Sequence, residues 1–297
     1  MMRTIQNDCF HTSNVITLRE RDAALLPELD TLCRSYSELW NHTRPGSDVW
    51  NINHGDGVGV PVAPETIRLL RLCEKYREET DGAFNLLAVT AKHILRDNPD
   101  ASPVALAALA KRIAQDRILI EDSSVRCPSW ARIDFGSIAK GYVCDRLVEV
   151  LRDRGVDDAM IDLGGNIFAL GNKEDGTPWR IGIRDPFAAR DAYLCVLELR
   201  DRSAVTSGMY ERSLTLRGEP VHHIIDPRTG LPCKSCFSSV TVISASSAEA
   251  DAYSTAITVM GQERMEAFLQ QRLLDVLCVT PERNVFFTNS IHPIFPR

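Results

Sequence analysis

The sequence predicts an α+β fold built mainly from antiparallel sheets with packed helices, and three observations carry that prediction. Helix-period apolar stripes occupy the first half of the chain. From Ala159 onward, strand-like segments follow one another without intervening helices: AMIDLGG, WRIGIR, YLCVLELR, SAVTS and SSVTVIS. Turn signals such as Asp175–Gly176 separate some of them. A doubly wound parallel sheet needs a helix after nearly every strand, so this order argues against it.

The elements can be justified in chain order. Leu25, Leu26, Leu29, Leu32 and Cys33 share one face of a helix expected from about Ala23 to Trp40. A second helix is expected from Pro64 to about Glu79, because proline suits a first helical turn. Ser102–Pro103 reads as a cap and first helical position for a third. A fourth should begin near Ile138, bury Val143, Leu147, Val150 and Leu151, and stop at Gly155. After the strands, Ser246 and Glu249 have the spacing of a capping box that opens a further helix. Another helix and two short strands, DVLCVT and NVFFT, close the chain. No linker or internal repeat interrupts it, so residues 1–297 read as one functional domain.

Composition narrows the function classes. The 297 residues are 44% hydrophobic and 25% charged, which is globular composition with ample length for a large core. A net charge of -6 without a basic run gives nucleic acid no footprint. An anionic substrate would therefore need local devices: a metal, a lysine or a helix N-terminus. No apolar stretch reaches the roughly 18 residues of a membrane span. The opening MMRTIQNDCF lacks the pattern of a signal peptide, so a cytoplasmic protein is expected. Nine cysteines, an odd number, read as reduced and partly buried thiols, with Cys233–Cys236 the only close pair.

Four segments could carry chemistry. In IDFGSIAKGYVCD, residues 133–145, a strand ending at Asp134 leads through a Gly136–Ser137 turn into a helix bearing Lys140 and Gly141. Free amides and a lysine there would suit a phosphate, although a plain connection with a surface lysine has the same pattern. In DAYSTAITVMG, Asp251 and Thr255 stand one helical turn apart and offer oxygen ligands suited to Mg²⁺. A dipole-favouring aspartate and a packed threonine would fit equally. In HHIIDPRTG, strand alternation would send His222 and His223 to opposite faces, so at most one serves a given site. Finally DGAFN, DLGGN and TSGMYER combine glycine with polar or aromatic groups, as a flat-ligand pocket or an ordinary turn would.

In order along the chain, these segments resemble the ApbE family: DGAFN, IDFGSIAKGYVCD, DLGGN followed by PWRIGIRDP, AVTSGMYER, HHIIDPRTGLP, and SSVTVIS leading to DAYSTAITVMG. The resemblance runs from about Ser47 to the C-terminus. It implies an α+β unit related to the T-fold, with a flavin cleft between two fused parts. It also implies Mg²⁺-dependent transfer of FMN from FAD to a threonine or serine of a flavin-carrying acceptor protein, with release of AMP. An alternative activity of the same site is FAD pyrophosphatase, which hydrolyses FAD to FMN and AMP, and a non-catalytic flavin-binding module is a third reading. Residue by residue, the resemblance implies Mg²⁺ ligation by Asp251, Thr255 and the backbone carbonyl of Ser137. It sets Asp134, Lys140 and Ala83–Phe84–Asn85 against FAD with Ile224 nearby, and makes His223 the catalytic base candidate. Asn85 stands where the family commonly has aspartate, and Ser137 where glycine or alanine is usual. The stretch CFHTSN resembles the family's opening strand only loosely, so no site residue is assigned there.

Overall fold

A computed structural model describes residues 1–296 except 190, 209–212, 217–218 and 273, and only the backbone of 213–216 and 219–220. Its described helices are α1 (Leu26–Leu39), α2 (Asp48–Asn53), α3 (Pro64–Glu79), α4 (Val89–Asp97), α5 (Pro103–Gln115), α6 (Ala139–Asp153) and α7 (Ser247–Gln270). The four expected helices are α1, α3, α5 and α6. Ser102 caps α5 by accepting from the Ala105 amide at 3.2 Å. Gly155 ends α6 with φ +73, and the following Val156 amide bonds back to the Leu151 carbonyl. On α6, Val143, Leu147 and Leu151 are buried as expected; Val150 is only half-buried, and Val148 completes the stripe. The expected final pair of helices is α7, broken at Gly261, whose φ of +73 is non-helical.

Eight strands form one sheet, and every neighbouring pair is antiparallel. Their order is Met2–Cys9, Thr12–Arg19, Ala159–Leu163, Asn166–Leu170, Arg202–Gly208, Ser239–Ser244, Asp275–Val279 and Val285–Phe287. The opening hairpin carries no glycine or asparagine at its turn, so nothing in the sequence announces it. Phe10 and His11 both take left-handed φ values, 57 and 58, to make it.

Strand alternation divides the apolar residues into two cores. Val205, Val240, Val242, Val276 and Cys278 face the helices. Ala204, Ile243, Leu277 and Val279 face the other way, against Trp179, Ile181, Ile183 and Leu197 of a separate hairpin, Trp179–Arg184 with Tyr193–Leu199. Burial on both faces explains why the central strands read as unbroken apolar runs. All nine cysteines are free thiols, and only Cys236 is exposed. Burial pushes Cys233 up to about 12, and its thiol donates to the Thr258 carbonyl at 3.3 Å, so this pair reads as structural. No described helix is long and apolar enough to cross a membrane.

Candidate functional site

The helical part and the sheet enclose a cleft of about 1430 Å³, above the roughly 300–1,000 Å³ of a typical small-molecule pocket. Into it come the loop before α6, the start of α7, the Ala83–Asn85 segment and the chain around His223. All ten residues singled out in the sequence line this one cleft: Ala83, Phe84, Asn85, Asp134, Ser137, Lys140, His223, Ile224, Asp251 and Thr255.

The loop before α6 is pinned from behind. Asn53 clasps the Ile133 backbone with both ends of its amide, accepting from the nitrogen at 2.8 Å and donating to the carbonyl at 2.9 Å. Thr90 does the same to Arg132. Asp134 then accepts from the Gly136 amide at 2.9 Å, an Asx-type turn that sets Ser137 at the cleft wall. Lys92 lies 3.9 Å from the other Asp134 oxygen.

The second anchor is the N-terminus of α7. Ser246 caps it by accepting from the Glu249 amide at 3.2 Å. The expected capping box is only half made, because the Glu249 carboxylate accepts from Ser244 rather than from the Ser246 backbone. Asp145 of α6 completes the cap, accepting from the amides of Ser247 at 2.7 Å and Ala248 at 3.0 Å and from the Ser246 hydroxyl at 2.7 Å. Burial pushes the Asp145 carboxyl up, and those three donors oppose the shift. One turn into α7, Asp251 is thereby held at the cleft floor, with Thr255 a further turn along the same face.

Asp251 is 5% exposed, yet no lysine, arginine or histidine pairs with it among the described residues. Its Oδ2 accepts from the Gly141 amide at 3.0 Å and the Asn166 amide at 2.8 Å, while Oδ1 accepts nothing among the described residues. The expectation that the α6 amides are free for a ligand is therefore corrected: the Gly141 amide serves a protein carboxylate. Gly141 is required for a related reason, since a Cβ there would lie 2.4 Å from the Ser247 carbonyl oxygen. Gly141→Ala should cost about 1–3 kcal/mol by overpacking the α6–α7 contact. An unchanged denaturation midpoint would refute that.

Lys140 donates to Asn166 Oδ1 at 2.9 Å. Asp162 lies on the same wall; burial pushes its carboxyl up, opposed by the Gly165 amide and by Lys140. Asn85 is half spent on local structure, capping a short turn through the Leu87 amide at 3.0 Å and donating to the Ile113 carbonyl at 3.1 Å. Phe84 is 1% exposed, so little of its ring is open to a ligand.

The histidine pair requires a second correction. The strand Glu219–His222 ends between the two, and their ring centroids lie 4.8 Å apart, so alternation does not send them to opposite faces. They still differ. His223 lines the cleft, whereas His222 is buried and accepts the Ile224 amide through Nδ1 at 3.2 Å. Burial also lowers the His222 pKa. A tight turn, in which the Gly230 amide donates to the Asp226 carbonyl at 2.9 Å, closes this segment. Of TSGMYER, Thr206, Ser207 and Gly208 line the cleft, and the remaining four residues lie outside those described.

Sequence reading missed His42, Lys92, Asp162 and Arg184, all on the cleft wall. Asp162 and Asn166 sit in DLGGN, where the glycines were a signal without a role. His42, in the turn after α1, and Lys92, on α4, had none, because positions so far apart in sequence meet only in the folded chain.

Such a site suits Mg²⁺ chemically. Among the described residues no three histidines, cysteines or carboxylates cluster to cage a metal. Mg²⁺ asks for less: one or two carboxylates and a few neutral oxygens, with water and phosphate in the remaining positions. Asp251, Thr255 and Ser137 line the cleft together and could offer such a set.

The fold and cleft thus define an α+β protein with a large cleft lined by carboxylates, lysines and histidines. A sequence profile of the ApbE family matches residues 10–279. An FAD:protein FMN transferase from Klebsiella pneumoniae strain 342 is 34% identical over 286 residues, covering 93% of this chain and 88% of that protein. Another from Treponema pallidum strain Nichols is 32% identical over 284 residues, covering 88% and 78% respectively. The crystal structure of an ApbE protein from Thermotoga maritima superposes with a TM-score of 0.87 at 25% identity, over 98% of each chain. The chain belongs to the ApbE family.

Proposed function

We propose that this chain, acting as one unit over residues 1–297, transfers FMN from FAD to a threonine or serine hydroxyl of an acceptor protein and releases AMP. The observation that carries the proposal is the meeting, in one cleft, of a buried carboxylate, a lysine and a histidine from three distant segments. Relatives that match most of the chain carry the name FAD:protein FMN transferase.

The reaction forms a bond between the acceptor oxygen and the FMN-side phosphorus and breaks the bridging P–O bond, so AMP departs with the bridging oxygen. Such chemistry depends mainly on positioning and charge stabilisation. Mg²⁺ held by Asp251, Thr255 and the Ser137 carbonyl would offset pyrophosphate charge that otherwise repels a nucleophile. Lys140 supplies a further point charge to the phosphates. Asp134 and the Ala83–Asn85 segment hold the dinucleotide, with Ile224 packing beside it. His223 accepts the proton of the attacking hydroxyl, a role suited to an imidazole whose reference pKa is near 6.5.

Incubation with FAD and Mg²⁺, with and without a protein bearing a flavinylation site, tests the reading. Covalent flavin on the protein, seen by in-gel fluorescence, is the expected result. FMN and AMP formed at the same rate without acceptor, and no labelled protein, would make the chain an FAD pyrophosphatase instead. Lys140→Ala should weaken FAD more than riboflavin, because riboflavin has no phosphate. Equal losses in fluorescence titrations would move Lys140 away from the phosphates.

A further inference from the structure

The buried amide of Asn166 stands between the two charges of the site. This residue is 1% exposed, on the strand Asn166–Leu170. Its Oδ1 accepts from the Lys140 ammonium at 2.9 Å, and its Nδ2 donates to Asp251 Oδ2 at 2.8 Å. An uncharged amide can accept from a cation and donate to an anion at once, so both contacts fix which way it faces. Without it, a direct Lys140–Asp251 ion pair is the simplest way to satisfy the half-buried ammonium and the buried carboxylate together. That pair would occupy the carboxylate that a metal needs and withdraw the ammonium from a phosphate.

We propose that Asn166 is a positioning residue that keeps Lys140 and Asp251 apart, reserving the carboxylate for a divalent cation and the ammonium for the substrate's phosphates. The inference rests on Asp251 being a metal ligand. Three features support the separating role. Asp251 Oδ2 accepts from two neutral donors, Gly141 and Asn166, which orient the carboxylate, and no cation pairs with it among the described residues. Lys140 and Gly141 are consecutive on α6, and the Gly141 amide bonds Asp251 directly, so the lysine is anchored next to the residue that holds the carboxylate. The strand bearing Asn166 pairs with Arg202–Gly208 and Ala159–Leu163, which gives the amide a rigid mount. Partners that orient a metal ligand in this way typically cost 10–100-fold in metal affinity when removed.

The test is Mn²⁺ binding to the whole chain without flavin, followed by electron paramagnetic resonance, with melting curves on every variant. Asn166→Ala should weaken Mn²⁺ by roughly 10–100-fold. Adding Lys140→Met to Asn166→Ala should restore most of that loss, because the competing ammonium has gone. The Lys140→Met gain should therefore be larger without Asn166 than with it, the non-additivity of a coupled pair. Asn166→Asp, which loses the donor to Asp251 but keeps an acceptor that holds Lys140 away from it, should bind Mn²⁺ more tightly than Asn166→Ala. It keeps the question answerable if the alanine variant fails to fold. Additive effects, or an Asn166→Asp variant as weak as Asn166→Ala, would overturn the separating role. Asp251→Ala distinguishes the two levels of the argument. If it loses Mn²⁺ while Asn166→Ala does not, the role of Asn166 falls alone. If it binds Mn²⁺ normally, the metal assignment falls and this proposal with it.

Discussion

Asp251→Asn is expected to reduce FMN transfer by at least the roughly 10²–10³-fold typical of a lost electrostatic stabiliser, with the fold intact. Asparagine matches the shape of aspartate, so the start of α7, fixed by Ser246 and Asp145, should hold. What disappears is the negative charge. In the native chain that charge is 5% exposed and, among the described residues, meets only neutral donors, Gly141 and Asn166. A carboxylate in that situation is costly unless a cation completes it, so removing the charge can leave the apo chain equally stable or stabilise it. Loss of activity together with a maintained or raised melting temperature is therefore the signature to look for. Transfer that persists in the variant, or in the native enzyme under excess chelator, would remove the metal from the mechanism.

His223→Ala should slow transfer by roughly the 10²–10⁴-fold of a missing general base, with little change in FAD affinity. The base acts on the acceptor hydroxyl, not on the dinucleotide, so binding and turnover should separate. His222→Ala provides the contrast. That ring is buried and accepts the Ile224 amide, so its loss should lower the melting temperature. Activity per folded molecule should hold. Covalent flavin on an acceptor, measured beside thermal melts of both variants, decides the matter. A folded, fully active His223→Ala enzyme would leave positioning and charge alone to explain the rate.

The histidine pair also shows where sequence reasoning reaches its limit. His223, preferred through the family resemblance, does line the cleft, but the alternation expected of the pair fails, because the strand stops at His222. An alternation argument needs both residues inside one strand, and sequence patterns place strand ends poorly. The opening hairpin escaped notice for a similar reason. Its turn puts Phe10 and His11 in a left-handed conformation that neither residue advertises.

The sequence by itself determined the fold class and the main helices, and its family motifs supplied ten of the residues lining the cleft but not His42, Lys92, Asp162 or Arg184. Those depend on local regularities: apolar period, turn chemistry, and short motifs whose residues lie within a turn or two of one another. Asp251 and Thr255 share a face because a helix repeats every 3.6 residues, wherever that helix lies. Only the tertiary structure decided what each charged group meets. Lys140, Asn166 and Asp251 are separated by tens of residues, and the link between them exists because α6, α7 and the central sheet converge. Gly141 reads as a place for a ligand, yet it admits the backbone of α7. Asp145 reads as the tail of a motif, yet it caps a helix about a hundred residues away, as its bonds to Ser247 and Ala248 show. The physical reason is the same in each case. Periodicity fixes which side of an element is apolar, whereas the partner of a buried polar group is whatever packing brings within about 3 Å, and no local pattern encodes that distance.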